Sequence, residues 1–140
     1  MRAIQVLVVD DHPIVRHGLK QLLSQEPDIE VCGEAESMAR GLELVGATQP
    51  DVALIDLALG DGDGMELIGQ VRRRWGDVKM IVVSTCNAQT HAPLALEAGA
   101  RGFVNKHEAL DRIVEAIRCV VDGEIYPGQC VANGASRWFG

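Results

Sequence analysis

The stretch Val52-Ala53-Leu54-Ile55-Asp56-Leu57-Ala58-Leu59 constrains the fold of this chain more than any other. It is a short apolar run with one acid, Asp56, set between Pro50-Asp51 and the loop Gly60-Asp61-Gly62-Asp63-Gly64. A short apolar run bounded by turn residues reads as a buried strand that opens into a loop. A carboxylate inside a core is costly unless something pairs with it. Asp56 therefore belongs at the C-terminal tip of the strand, where charged partners can reach it. In a parallel α/β sheet that edge is where ligand sites form. The other reading, an acid that merely begins the next loop, is not excluded by this stretch alone.

The rest of the chain alternates strand and helix signals. Ile4 to Val9 is a near-continuous β-branched run, the pattern of a strand covered on both faces. It ends in Asp10-Asp11-His12-Pro13, and proline suits the first turn of a helix. Ile14, Leu19, Leu22 and Leu23 give that helix an apolar side. Ile29 to Ala35 reads as a second, weaker strand, and Ser37 as the N-cap of a helix reaching about Val45. After the Asp56 strand, Met65, Leu67, Ile68 and Val71 mark a helix ending in Arg72-Arg73-Arg74, whose charge suits the negative pole of the helix. Val78 to Val83 is a fourth strand, ending in Ser84-Thr85. Pro93 then argues for a short helix over 92–98 with Thr90 as its cap. Arg101 to Asn105 is a fifth strand ending at Lys106, and Leu110, Ile113, Val114, Ile117, Val120 and Val121 trace a last helix. Beyond Gly123 the pattern decays, so a domain over 1–122 and a tail or linker over 123–140 are expected.

Composition excludes several classes. No apolar run approaches the roughly 20 residues of a membrane helix, and Met1-Arg2-Ala3-Ile4 leads directly into a strand rather than a signal peptide. The expectation is a soluble, cytoplasmic chain without membrane contact. The four cysteines, Cys32, Cys86, Cys119 and Cys130, form no Cys-x-x-Cys pair, so reduced thiols are expected rather than metal or redox chemistry. A net charge of −7 makes direct DNA binding unfavourable, because duplex affinity rests largely on phosphate neutralisation.

Five βα units imply a five-stranded parallel sheet with helices on both faces. Such a sheet brings Asp10, Asp11, Asp56, Ser84 and Lys106 to one edge. Three carboxylates in one place repel and ask for a cation, and hard oxygen ligands suit Mg²⁺. A hydroxyl and an ammonium beside them could bind phosphoryl oxygens. The simplest chemistry for this set is phosphoryl transfer onto a carboxylate.

With these motifs in place, the chain resembles the receiver domains of two-component response regulators. The resemblance rests on Val8-Val9-Asp10-Asp11-His12-Pro13, Leu54-Ile55-Asp56-Leu57 with Asp63-Gly64, Val82-Val83-Ser84 and Gly99-Ala100-Arg101-Gly102-Phe103-Val104-Asn105-Lys106. It covers roughly residues 3–122 and is most similar to the LuxR/NarL/FixJ-type subfamily. It implies an α/β, flavodoxin-like (βα)5 doubly wound fold. By the resemblance, Asp56 is the phosphoacceptor, and Asp10, Asp11, the Asp56 carboxylate and the Ala58 carbonyl hold Mg²⁺. Ser84 and Lys106 then contact the phosphoryl group, and Phe103 with Ser84 forms the switch. The implied partners are a sensor histidine kinase, a second copy in a phosphorylation-dependent homodimer, and DNA only through a C-terminal helix-turn-helix domain that this chain does not contain. The chain is expected to catalyse only its own phosphoryl transfer and a slow dephosphorylation, since neither Ala58 nor Cys86 activates water well.

Three positions depart from the family pattern. Gly60 stands where many members carry proline and predicts a more flexible loop. Thr85 places a branched side chain after Ser84, and Pro93 interrupts a helix that often forms the output face. A free-standing receiver, or a pseudo-receiver acting without phosphorylation, is therefore the alternative. A haloacid-dehalogenase-type phosphatase would need Asp-x-Asp after the first strand. A flavodoxin-type cofactor binder would need a phosphate-cradling loop where Asp10-Asp11 stands.

Overall fold

The computed structural model describes residues 2–85 and 88–127. Strands β1 (Ile4–Val9), β2 (Ile29–Ala35), β3 (Val52–Ile55), β4 (Lys79–Ser84) and β5 (Gly102–Asn105) form one sheet in the order β2-β1-β3-β4-β5. All four pairings are parallel. Between and after the strands run α1 (Pro13–Ser24), α2 (Met38–Thr48), α3 (Gly64–Arg74), α4 (Ala88–Ala98) and α5 (Ala109–Val121). This is the doubly wound (βα)5 arrangement that the sequence implies.

Strand side chains alternate between two cores. Leu7, Val9, Ala53, Ile55, Met80 and Val82 pack with residues of α2, α3 and α4. Val6, Val8, Val52, Leu54, Ile81 and Val83 pack with α1 and α5 through Leu19, Leu23, Ile113 and Ile117. A strand buried on both faces cannot alternate apolar with polar residues, which is why these runs are continuously apolar.

Register sets the functional edge. Val9 lies opposite both Ala35 and Ile55. The next backbone amides continue the ladders, Asp10 N–H to the Ala35 carbonyl and Asp56 N–H to the Val9 carbonyl, each at 3.0 Å. Two acids on adjacent strands are thereby held side by side. On β4 and β5, Ser84 is level with Asn105, and Lys106 N–H donates to the Ser84 carbonyl at 2.9 Å.

The loop after Asp56 is tied down at two places. Ala58–Leu59 and Gly62–Asp63 form a two-residue antiparallel ladder. The Asp61 carboxylate accepts from Met38 N–H at 2.7 Å and Ala39 N–H at 3.1 Å, joining the Ser37 hydroxyl in capping α2. Asp63 caps α3 by accepting from Met65 N–H. The Gly60 loop is thus anchored by neighbouring acids, a constraint that the glycine alone does not signal.

Two expectations need correction, whereas β3 stops at Ile55 and leaves Asp56 at the strand tip, as expected, before the chain turns back into the small ladder. Helix α4 begins at Ala88 and contains Pro93, whereas the sequence suggests a start near Ala92. Proline there lacks the N–H that would return to the Gln89 carbonyl and crowds that carbonyl with its ring, and Ala92 and Ala95, almost fully buried, anchor that helix on the sheet. Cys119 is disulfide-bonded rather than reduced, while Cys86 and Cys130 lie outside the described residues.

Packing also continues past α5. Tyr126 is 2 % exposed and bridges Gly102 in parallel. Its N–H donates to the Arg101 carbonyl and its carbonyl accepts from Phe103 N–H. Trp138 and Phe139 lie outside the described residues. No helix among the described residues is long and apolar enough to cross a membrane.

Candidate functional site

Asp10 and Asp56 are each 2 % exposed, just beyond the ends of the adjacent inner strands β1 and β3. Two nearly buried carboxylates need a cation, and Lys106 supplies it. Its ammonium lies 3.0 Å from Asp10 Oδ2 and 3.1 Å from Asp56 Oδ2. The lysine follows β5 directly, so the same parallel register that aligns the acids delivers the ammonium. Arg16 braces the assembly from α1, donating to the Asp10 carbonyl at 2.6 Å and to Glu34 at 3.0 Å.

Asp11 stands at the mouth, half-buried. Its Oδ1 atom is buried without a hydrogen-bond partner. His12 Nδ1 comes within 3.0 Å of that oxygen, but not in hydrogen-bonding alignment. His12 has no place in the sequence reading beyond its motif, yet its Nδ1 lies 2.8 Å from Asp10 Oδ1 and 3.1 Å from Lys106 Nζ. The available signal was its position: a residue at the N-cap of α1 that can cap the helix or turn to the acids. It makes no side-chain cap and turns to the acids.

The electrostatics follow from burial. Removal from water holds the Asp56 carboxyl above its ordinary pKa, and the nearby Asp10 charge pushes the same way. The Ala58 N–H, 3.1 Å from Asp56 Oδ1, and Lys106 pull against this without overcoming it. For Lys106, burial favours the neutral amine, but hydrogen bonds and charge from Asp10 and Asp56 outweigh it and hold the ammonium above its ordinary pKa.

A pH dependence follows. A carboxyl whose pKa is higher in the folded state binds its proton more tightly there. Its contribution to stability is complete below the unfolded value of about 3.9 and is lost as pH rises through the folded value. Asn keeps that position neutral at every pH. Asp56→Asn is therefore expected to be more stable than wild type at pH 7 in EDTA, with the gap closing as pH falls toward 4. Urea titrations across that range check this, and a gap independent of pH would refute it.

The oxygens and nitrogen of Asp10, Asp11, His12 and Asp56 lie within 4.8 Å of one another. A partnerless buried carboxylate oxygen among them is what a hard cation would satisfy, so the residues present fit a divalent ion. Ser84, 1 % exposed, closes β4 beside the Lys106 backbone. Phe103 is buried at 4 % and packs with Val82, Ala92 and Ala95. Ala58 reaches the site through its N–H.

Comparisons with known proteins agree with this geometry. The response regulator receiver domain family matches residues 6–118. The nitrate/nitrite response regulator protein NarL of Escherichia coli is 34% identical over 120 residues, covering 86% of this chain and 56% of that protein. Response regulator GacA of Pseudomonas protegens is 35% identical over 130 residues, 93% of this chain and 61% of the relative. The chain thus spans little more than half the length of these relatives. Among solved structures, the receiver domain of the putative response regulator NarL from Mycobacterium tuberculosis superposes with a TM-score of 0.83 at 33% identity, covering 89% of this chain and all of that one. A LuxR-family two-component response regulator from Aurantimonas gives 0.86 at 29% identity, with 96% of each chain covered. The chain belongs to the response regulator receiver domain family and, by its relatives, to the LuxR/NarL/FixJ-type branch of it.

Proposed function

We propose that this chain is a phosphorylation-activated signalling switch that accepts a phosphoryl group on Asp56 from a sensor histidine kinase. The observation that carries the reading is a pair of almost fully buried carboxylates, Asp10 and Asp56, joined by the Lys106 ammonium at 3.0 and 3.1 Å. Asp10, Asp11 and Asp56 would hold Mg²⁺, with Ala58 contributing its carbonyl. When bound, the ion supplies positive charge to the transferring phosphoryl group. Asp56 acts as the nucleophile, and Lys106 offsets charge that builds on the phosphoryl oxygens. Ser84 donates its hydroxyl to the phosphoryl group, and Phe103 moves with it as the switch.

In this reading the receiver is cytoplasmic and controls transcription through a DNA-binding output domain outside this chain. It catalyses no reaction beyond its own phosphorylation and slow dephosphorylation. It forms a homodimer when phosphorylated. The mixed-charge side of α5 is a poor surface for that contact. Arg118 is already engaged by Glu26 and Asp28 at 2.8 Å, and Arg112 lies near Glu108 and Glu115.

The test is intact-protein mass with acetyl phosphate and Mg²⁺, on wild type and Asp56→Asn. One phosphate adduct is expected on wild type, with none on the variant and none in EDTA. Absence of an adduct on wild type, with a donor that labels a control receiver, would favour a pseudo-receiver acting by protein contact alone.

A further inference from the structure

The edge of the sheet opposite the acidic cluster holds a group of cations that have no carboxylate partner among the described residues. Among the described residues, Arg2, Arg16, Lys20, Arg40, Lys106, Arg112 and Arg118 each have a carboxylate within 4.0 Å. The described cations without one are Arg72, Arg73, Arg74, Lys79 and Arg101, all at the C-terminal end of α3 or the N-terminal ends of β4 and β5. No Asp or Glu side chain lies outside the described residues. The negative pole of α3 accounts for a cation in its last turn. It does not account for Lys79 and Arg101, which come from other elements.

These cations surround a cleft. Arg72, Lys79 and Arg101 line a cavity of about 350 Å³ together with apolar side chains that include Val78, Leu96 and Ile125, and no acid among the described residues lines it. Arg72 is positioned rather than free. Its guanidinium donates to the Glu97 carbonyl at 3.0 Å, and its stem lies where a side chain at Gly99 would stand, a Cβ there falling 2.5 Å from Arg72 Cδ. Arg74 is occupied by the Trp75 ring at 4.5 Å. Lys79 has only a 3.5 Å approach to the Asp77 carbonyl.

We propose that this cleft binds a phosphorylated small molecule with an organic body of nucleotide size. Three cations and no acid around one opening select a multiply charged anion, and guanidinium groups match phosphate oxygens in fork geometry. The apolar wall suits an organic body. The cleft is open on one side, and its volume is that of a small-molecule pocket rather than of a groove for an extended peptide. Because Lys79 and Arg101 stand at the strand starts and Asp56 follows a strand end, the site is separate from the phosphoacceptor.

The experiment is calorimetric titration of the full chain with AMP in EDTA, where the acidic cluster has no metal to recruit phosphate. One saturable site is expected in wild type. Affinity is expected to fall about tenfold or more in Lys79→Ala and in Arg101→Ala, since a charge-assisted contact is lost in each. It is expected to hold in Asp56→Asn and in Arg40→Ala, the latter removing a cation already paired with Glu43. Backbone amide shifts should centre on Gly99, Ala100 and Ile125. No saturable binding, or equal affinity in the Lys79 and Arg101 variants, would overturn the site. Shifts centred on Asp10, Asp11 and Lys106 would overturn its location, and inorganic phosphate binding as tightly as AMP would overturn the organic ligand.

Discussion

Lys106→Ala is expected to cost about 3 kcal/mol of folding stability at pH 7 in EDTA, the lower end of what breaking a buried ion pair costs by removing one partner. The lysine side chain is 11% exposed and the carboxylates it joins are 3% and 2% exposed. Without it, Asp10 and Asp56 face each other across a site that keeps little water. His12, 2.8 Å from Asp10, and the opening beside Asp11 are why the lower end applies. Part of the cost is escaped by protonation. Asp56 is already held above its ordinary pKa, and loss of Lys106 raises it further, so the penalty should shrink as pH falls toward 5. Saturating Mg²⁺ should also restore much of the loss, because an ion that binds only the folded site stabilises it by mass action. Urea denaturation of wild type and variant, with EDTA and with Mg²⁺ at two pH values, separates these contributions. A variant as stable as wild type in EDTA would show that the ammonium does not neutralise the pair.

How much of this was legible in the sequence depends on what each residue's neighbours determine. The five strands were legible because burial on both faces forces continuous apolar runs, and Val6-Leu7-Val8-Val9 or Met80-Ile81-Val82-Val83 admit few other readings. Convergence of Asp10, Asp56 and Lys106 was legible as well, since parallel topology sends the residue after each strand to one edge. Side-chain direction was not. Nothing in Asp10-Asp11-His12-Pro13 says whether His12 caps α1 or turns to the acids, because both lie within reach of one rotation. Pro93 reads as belonging to the first turn of α4, whereas the helix starts at Ala88. The burial of Ala92 and Ala95 outweighs one missing hydrogen bond. The return of Tyr126 to the sheet edge was hidden for a different reason: one buried aromatic after a glycine carries no periodicity. Likewise, the segregation of unpaired cations emerges only when the partners of the other cations are known.

Gly64→Ala is expected to destabilise the protein by about 3 kcal/mol, the upper part of the range for forcing extra atoms into a packed site. The cause is space, not backbone freedom. A Cβ at Gly64 would fall 2.4 Å from the Asp56 carbonyl oxygen and 2.6 Å from Leu57 Cα, and both obstacles are backbone. Neither can rotate aside as a side chain would. The approach is built into the fold, since Gly64 N–H donates to the Leu57 carbonyl at 2.9 Å and so pins the first turn of α3 against the end of β3. Gly60 is the matched control. It lies in the same loop, and its nearest neighbour to an added Cβ is Asp11 Oδ2 at 3.8 Å, an ordinary contact. Gly60→Ala should therefore leave stability within about 0.5 kcal/mol of wild type. Because the atoms crowded in Gly64→Ala belong to Asp56 and its neighbour, a relaxation that accommodates the methyl there also shifts Asp56. The variant should accordingly lose phosphoryl-adduct formation beyond its loss of folded protein, and Gly60→Ala should not. Urea midpoints for both variants, with adduct formation measured where each remains folded, decide the matter. Equal stability of the two would mean that the Asp56–Leu57 backbone yields freely and that the acid's position is held by Lys106 and Asp10 instead.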